Sequence, residues 1–158
     1  MAFHQATWIN DRRHSWSEWT YGHSNLAVDG QHDNIASLNK CAILDNYFVD
    51  VPMWMVDLAE THKINGIVMI SWPDHYNNQN HIGKLVVSVA NVPKIGANET
   101  STYRECGVIS IDELKSNSKI NVPCQSHLIG QYVYITAYAQ ENSSHMLFSA
   151  ILCEVYVY

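Results

Sequence analysis

The sequence predicts an all-β sandwich or barrel, and three observations carry that prediction. Period-two alternation runs through most of the chain from Trp54 onward. β-branched and aromatic residues crowd the alternating runs, and turn-forming residues separate them. Recurring amphipathic helices are missing from the pattern, which removes the α/β and all-α classes. Several short strands with turn-rich separators fit a sandwich or barrel.

The elements follow in order. Residues 1–50 show no sustained period. Trp8, Trp16, Trp19 and Tyr21 are scattered among polar residues there, and they are expected to cover an end or side of the strands from outside. In 64–72, Ile64, Gly66, Val68, Ile70 and Trp72 alternate with Asn65, Ile67, Met69 and Ser71, so both faces of this strand are largely apolar. The run 84–91 is a second strand, ended by Val92-Pro93, and 104–110 is a third. Ser110-Ile111-Asp112-Glu113 has the spacing of a capping box, but Lys115-Ser116-Asn117-Ser118 follows at once, which limits the helix to a turn or two. In 131–139, Val133, Ile135 and Ala137 take one face and Tyr132, Tyr134 and Tyr138 the other. The chain closes with a long apolar run, 146–158. No linker or internal repeat divides it, so residues 1–158 are expected to form one domain.

Composition narrows the function. Hydrophobic residues make up 47% and charged residues 15%, which excludes a disordered chain. Nine Lys plus Arg against fifteen Asp plus Glu give a net charge of -6, a poor balance for gripping phosphate backbones. Nucleic acid is therefore not an expected partner. No apolar run is long enough to cross a bilayer, and Met1-Ala2-Phe3 leads into polar His4 and Gln5 without a signal-peptide pattern.

Four cysteines, Cys41, Cys106, Cys124 and Cys153, allow three complete pairings, and none lies in a CxxC. Pairing the two close cysteines and the two distant ones is physically economical. The short loop would stabilise by about 3 kcal/mol and the long one by about 5 kcal/mol on the chain-entropy estimate. Sequons at Asn98-Glu99-Thr100 and Asn142-Ser143-Ser144 fall in polar turns, where glycosylation would be tolerated. Cysteines and sequons together predict an extracellular protein.

Catalytic patterns are missing. The nine histidines form no HExxH and no close pair on one helical face, there is no GxSxG elbow, and the thiols are expected to be oxidised. Asp57, Asp74 and Glu154 lie near strand ends without a spacing that favours glycoside hydrolysis. An enzyme is not expected. The most informative segment is Trp72-Pro73-Asp74-His75-Tyr76-Asn77-Asn78-Gln79-Asn80-His81, which joins two strands with a dense set of donors, acceptors and rings. A sugar presents apolar C–H faces beside fixed hydroxyls, so an aromatic plate next to amides and a carboxylate suits it. A solvated loop, with Trp72 packed inward and the Asn residues serving turns, is the alternative. A second segment, Asp29-Gly30-Gln31-His32-Asp33-Asn34, sets oxygens close together in a Gly-containing turn, as calcium sites do, but lacks EF-hand spacing.

From about Ala6 to Tyr158 the chain resembles the F-type lectin (fucolectin) family, relatives of discoidin and coagulation-factor C domains. The marks are Ala27-Val28-Asp29-Gly30, Cys41, Pro52-Met53-Trp54-Met55-Val56-Asp57-Leu58, 64–71, Leu85-Val86-Val87-Ser88-Val89, Cys106 with Cys124, and the closing Leu152-Cys153-Glu154-Val155. The resemblance implies an eight-stranded jelly-roll-like β-sandwich, secreted, with bonds Cys41–Cys153 and Cys106–Cys124.

The sugar site departs from the family. Its pattern for fucose is a His shortly after the first cysteine and Arg-x-Asp, then four residues and Arg or Lys. Here Ile43 stands at the His position and Trp72 at the first Arg. Asp74 survives, and the last basic position falls on Gln79, or on His81 with a two-residue insertion. His75-Tyr76 replaces an adjacent cysteine pair. Arg supplies a rigid fork of donors that Trp72 cannot replace, so fucose binding in the family's way is not expected. The family's structural calcium would use Gln31, Asp33 and Glu154, while Lys40, just before Cys41, could put an ammonium in the cation's place.

The expected function is recognition of a glycan or glycoprotein through Trp72, Asp74, His75, Tyr76, Gln79 and His81, with a pocket altered away from fucose. Asp74 would accept a hydroxyl proton, Trp72 or Tyr76 would stack, and His75, Gln79 or His81 would donate. The alternative is a protein-interaction or structural module that kept the scaffold and lost the sugar. A homo-oligomer would raise avidity in the first case. Membrane contact, which needs apolar spikes such as Met53 or Trp16 at the site's end, ranks behind both.

Overall fold

A computed structural model describes residues 2, 4–10, 22–31, 40–47, 49–77, 81–93, 102–142 and 146–158. It is an all-β sandwich of two sheets. The strands are β1 (Ala6–Ile9), β2 (Ala42–Asp45), β3 (Met53–Ile70), β4 (Ile82–Ala90), β5 (Arg104–Ser110), β6 (Lys119–Ala139), β7 (Ser149–Leu152) and β8 (Glu154–Val157). A 3-10 turn (Ser24–Ala27) and two short helices, α1 (Pro73–Tyr76) and α2 (Ile111–Ser116), complete the described elements. The six-stranded sheet runs β1-β3-β6-β4-β5 with β8 also paired to β3, and β2 pairs β7 in the second sheet. Every pairing is antiparallel.

β3 and β6 form the spine, with 18 and 21 residues. The first part of β3 pairs with the last part of β6, Trp54 opposite Ile135, and its last part pairs with the start of β6, Ile70 opposite Lys119. Register shifts between Asp57 and His62 and between Ile64 and Gly66 bend the ribbon. At the first bend Ala59 is held at φ 67°, a conformation that disfavours a side chain. Asp57 stabilises it: its Oδ1 accepts from the Ala59 N–H at 2.8 Å and from Gln131 Nε2 at 2.8 Å.

Alternation then sorts the side chains. Leu85, Val87 and Val89 of β4 join Val133, Ile135 and Ala137 of β6 and Trp54 and Val56 of β3 in the main core. Removing each of the Val, Leu and Ile side chains from water contributes about 1.5–3 kcal/mol before entropy is counted. The opposite face of the sheet carries a second cluster, Met53, Ala90 and Tyr134 with Met55, Tyr103 and Tyr132 packed on it. α2 is a single short helix closed by a complete capping box between Ser110 and Glu113, and it drops Leu114 into the main core.

Two disulfides are formed, one beside the β2–β7 pair and one between β5 and β6 of the larger sheet. Cys41–Cys153 spans 112 residues and Cys106–Cys124 spans 18. Among the described residues no helix is long and apolar enough to cross a membrane.

Several elements differ from the sequence reading. β1 and β2 lie within the stretch that showed no period, because four residues are too few to display one. β6 begins at Lys119, well before the predicted 131, and the terminal run splits into β7 and β8 around Cys153. Trp8 stands exposed on β1, while Trp16, Trp19 and Tyr21 lie outside the described residues.

Candidate functional site

β3 delivers the chain to the site at Ser71. Trp72 is the extended N-cap of α1, Pro73 fixes the first turn, and the helix ends at Tyr76, so 72–76 is a compact helical turn where the sequence predicted an open loop. His75 N–H donates to the Trp72 carbonyl at 3.1 Å.

Tyr76 corrects the sequence reading, which offered its ring for stacking. The residue is 1% exposed and belongs to the main core. Its hydroxyl accepts from the Ile151 N–H at 2.9 Å and pairs with Ser71 Oγ at 2.9 Å, while Ser71 Oγ donates to the Ile151 carbonyl at 2.7 Å. The two side chains therefore satisfy both main-chain groups of Ile151 on the side of β7 away from β2. They do for that edge what a neighbouring strand would otherwise do. Burial pushes the Tyr76 phenol up, opposed by the bonds to Ile151 and Ser71, so the hydroxyl stays protonated. A ring committed in this way is a structural residue.

The flanking side chains are differently placed. Trp72 is half-buried and packs on the cluster made by the Cys41–Cys153 bridge, Ile70 and Ile151. Asp74 is exposed on the outer side of the helical turn. His75 is half-buried, its Nε2 hydrogen-bonded to Ser149 Oγ at 2.8 Å and its ring edge-on to Tyr76 at 5.3 Å. Trp72, Asp74 and His75 thus share one short segment fixed to β7. His81 is half-buried at the entry to β4, with its carbonyl accepting from Gln140 N–H at 2.8 Å. Gln79 lies outside the described residues. Ser149 and Ser71, which orient the segment, were not identified from sequence. Their partners are 74 and 80 residues away, and no local pattern encodes such contacts.

Burial lowers the His75 pKa from its ordinary value of 6.5, with the Ser149 hydrogen bond opposing it. The sign follows: below about pH 6.5 the unfolded chain takes a proton that the folded site resists, so folding loses stability as the solution is acidified. His75→Gln is expected to flatten this loss, measured as the urea midpoint at about pH 7 and about pH 5. An unchanged pH slope in the variant would remove His75 from the account.

The second sequence candidate, the Asp29-Gly30 turn, is anchored by Glu154. That residue is fully buried, and its Oε2 accepts the Gly30 N–H at 2.8 Å. Gly30 sits at φ 75°, where a side chain would be strained. Asp29 Oδ1 accepts from Gln31 N–H at 2.9 Å, Gln31 is exposed, and Lys40 is half-buried. Asp33 lies outside the described residues. Tested as a calcium cradle, the described residues bring one buried carboxylate to the turn, and a main-chain N–H occupies one of its oxygens. No group of three His, Cys, Asp or Glu among the described residues is placed to hold a metal ion. The described donors alone do not make a cage. Of the two sequons, Asn142 is exposed in the turn after β6 at φ 65°, and Asn98 lies outside the described residues.

No known family's sequence pattern matches the chain, and no curated protein matches it by sequence. Solved structures do share its fold. A fucolectin from the serum of striped bass, Morone saxatilis, superposes with a TM-score of 0.67 at 18% identity, covering 97% of this chain and 46% of that one. The chain therefore spans about half the length of that lectin. A chitosan-binding module from a Paenibacillus chitosanase/glucanase gives 0.65 at 13% identity, over 99% of this chain and 96% of the module. A fucose-binding module from Streptococcus pneumoniae gives 0.63 at 19% identity, over 99% and 95%.

Proposed function

We propose that the chain is a carbohydrate-recognition module without turnover, reading a sugar other than fucose through the α1 segment. The observation that carries this reading is the placement of Asp74. It stands exposed on a helical turn locked to β7, beside the half-buried Trp72 and His75. Asp74 would accept from a sugar hydroxyl, the open part of the Trp72 ring would meet an apolar sugar face, and His75 with Gln79 or His81 would supply donors. The names of the three fold neighbours described above support the reading: a fucolectin, a chitosan-binding module and a fucose-binding module. The segment 72–81 contains no Arg, which argues for a ligand other than fucose.

A second reading, a protein-interaction module, is favoured by one patch. Tyr47 is 67% and Leu147 61% exposed, and Asn46 ties their loops together by donating to the Met146 carbonyl at 3.0 Å and accepting from Phe148 N–H at 2.8 Å.

A broad glycan array, read in calcium and again in chelator, separates the readings. Binding to a defined non-fucosylated set is expected, with Asp74→Asn weakening it by about tenfold or more, as loss of a charge-assisted hydrogen bond does. Signal lost in chelator would assign a metal-dependent role to Gln31, Asp33 and Glu154. Fucose-selective binding would overturn the reading of the missing Arg donors, and a blank array in both conditions would move the assignment to a protein partner at Tyr47 and Leu147.

A further inference from the structure

The outer face of the larger sheet, on the side opposite the main core, holds a cleft of about 350 Å³ that the α1 segment does not touch. Its floor is polar where a sheet face against solvent needs no buried polar group. Ser88 of β4 is 8% and Thr136 of β6 is 9% exposed, and no side chain among the described residues hydrogen-bonds either hydroxyl. Tyr103 and Tyr138 form its aromatic walls, and among the described residues Glu105 of β5 supplies the charged group of the lining. The Tyr103 wall is fixed, and the Tyr138 wall is exposed. Tyr103 packs edge-on against the buried Tyr134 at 4.9 Å, and Lys84 is held over the Tyr138 ring at 5.7 Å. Asn10 closes one end, with its amide committed to Val51 O at 3.0 Å and Met53 N–H at 2.7 Å.

We propose that this cleft is a second binding site, independent of the α1 segment, for an amine-bearing saccharide. The volume lies at the lower end of the range for small-molecule sites and suits one or two sugar rings. The two hydroxyls, open to the cleft on low-exposure residues, answer ligand hydroxyls, and tyrosine rings answer the apolar face of a sugar. The Glu105 carboxylate, in a chain of net charge -6, selects an ammonium over an anion. A neutral sugar would form no ion pair with that carboxylate.

The test is an NMR titration of the intact chain with the glucosamine dimer, alongside its N-acetylated form, the glucose dimer and propylamine. Expected are amide shifts on β4, β5 and β6 around Ser88, Glu105 and Thr136, with a dissociation constant below about 10 mM. Glu105→Gln, an exposed and structurally mild change, is expected to weaken binding by about tenfold, and Thr136→Val to weaken it with the thermal midpoint monitored as a check on folding. Asp74→Asn is expected to leave it unchanged, which separates this site from the α1 segment. Equal binding of the N-acetylated dimer or of propylamine would overturn the class of ligand. Shifts confined to α1, or no response to Glu105→Gln and Thr136→Val, would overturn the site.

Discussion

Replacing Cys41 and Cys153 together by alanine is expected to lower the free energy of unfolding by about 2–5 kcal/mol. The bond closes a loop of 112 residues, so its removal releases a large part of the unfolded chain's freedom. The Cys106–Cys124 pair closes only 18 residues, and its loss is expected to cost about 1–2 kcal/mol less on the same chain-entropy argument. Denaturant unfolding of the two double variants measures the difference. Equal losses would show that packing around the bridges outweighs loop length. The longer bond also forms the floor under Trp72, with Ile70 and Ile151 beside it. Its removal should therefore weaken the glycan binding proposed at α1 even where the variant remains folded, whereas removal of the shorter bond should not.

Trp54→Ala is the second large effect, expected at about 3–5 kcal/mol. The ring is wholly buried in the main core, and its Nε1–H donates to the Ser24 carbonyl at 2.9 Å. That bond ties β3 to the 3-10 turn, which has no side-chain cap of its own. Trp54→Phe keeps much of the apolar area but leaves the Ser24 carbonyl without this donor, at a cost of about 1–3 kcal/mol. Urea titrations of both variants separate packing from the tie. A neutral Trp54→Phe would mean that the carbonyl finds another partner.

How much of this was legible depends on what each residue faces. β5 was read with both of its boundaries, because its alternation is bounded by the Ser110 cap. The first part of β6 was not read. Ile120 and Val122 are its buried residues there, and Asn121, Pro123, Gln125 and Ser126 face solvent, so the run looks like a polar loop. A strand lying against a core on one face and water on the other can hide in such a sequence when its apolar residues are few. In the α1 segment, the clustering of Trp72, Asp74 and His75 was visible as residue chemistry. The inward turn of Tyr76 was not, since it depends on Ile151, 75 residues away. The tyrosines at 132, 134 and 138 were legible as one face of a strand. Their neighbours Ser88 and Glu105, which complete the outer cleft, come from two other strands and had no common signal.

The long ribbon of β3 and β6 has a consequence for how the chain reaches this structure. Trp54 meets Ile135 and Ile70 meets Lys119, so the central ladder cannot begin until distant parts of the chain have found one another. Neither of these strands gains a partner from its immediate sequence neighbours, and the entropy of closing such loops comes before any reward from packing. The expected pace is milliseconds to seconds, that of sheet proteins built from non-local pairs. β4 and β5 are the closest pair in sequence and the natural place to start. β2 and β7 must come together late, and the thiols of Cys41 and Cys153 can meet only then. Oxidation before that alignment would trap the wrong partners, so the route to the native state runs through the ladder first and the long covalent closure last.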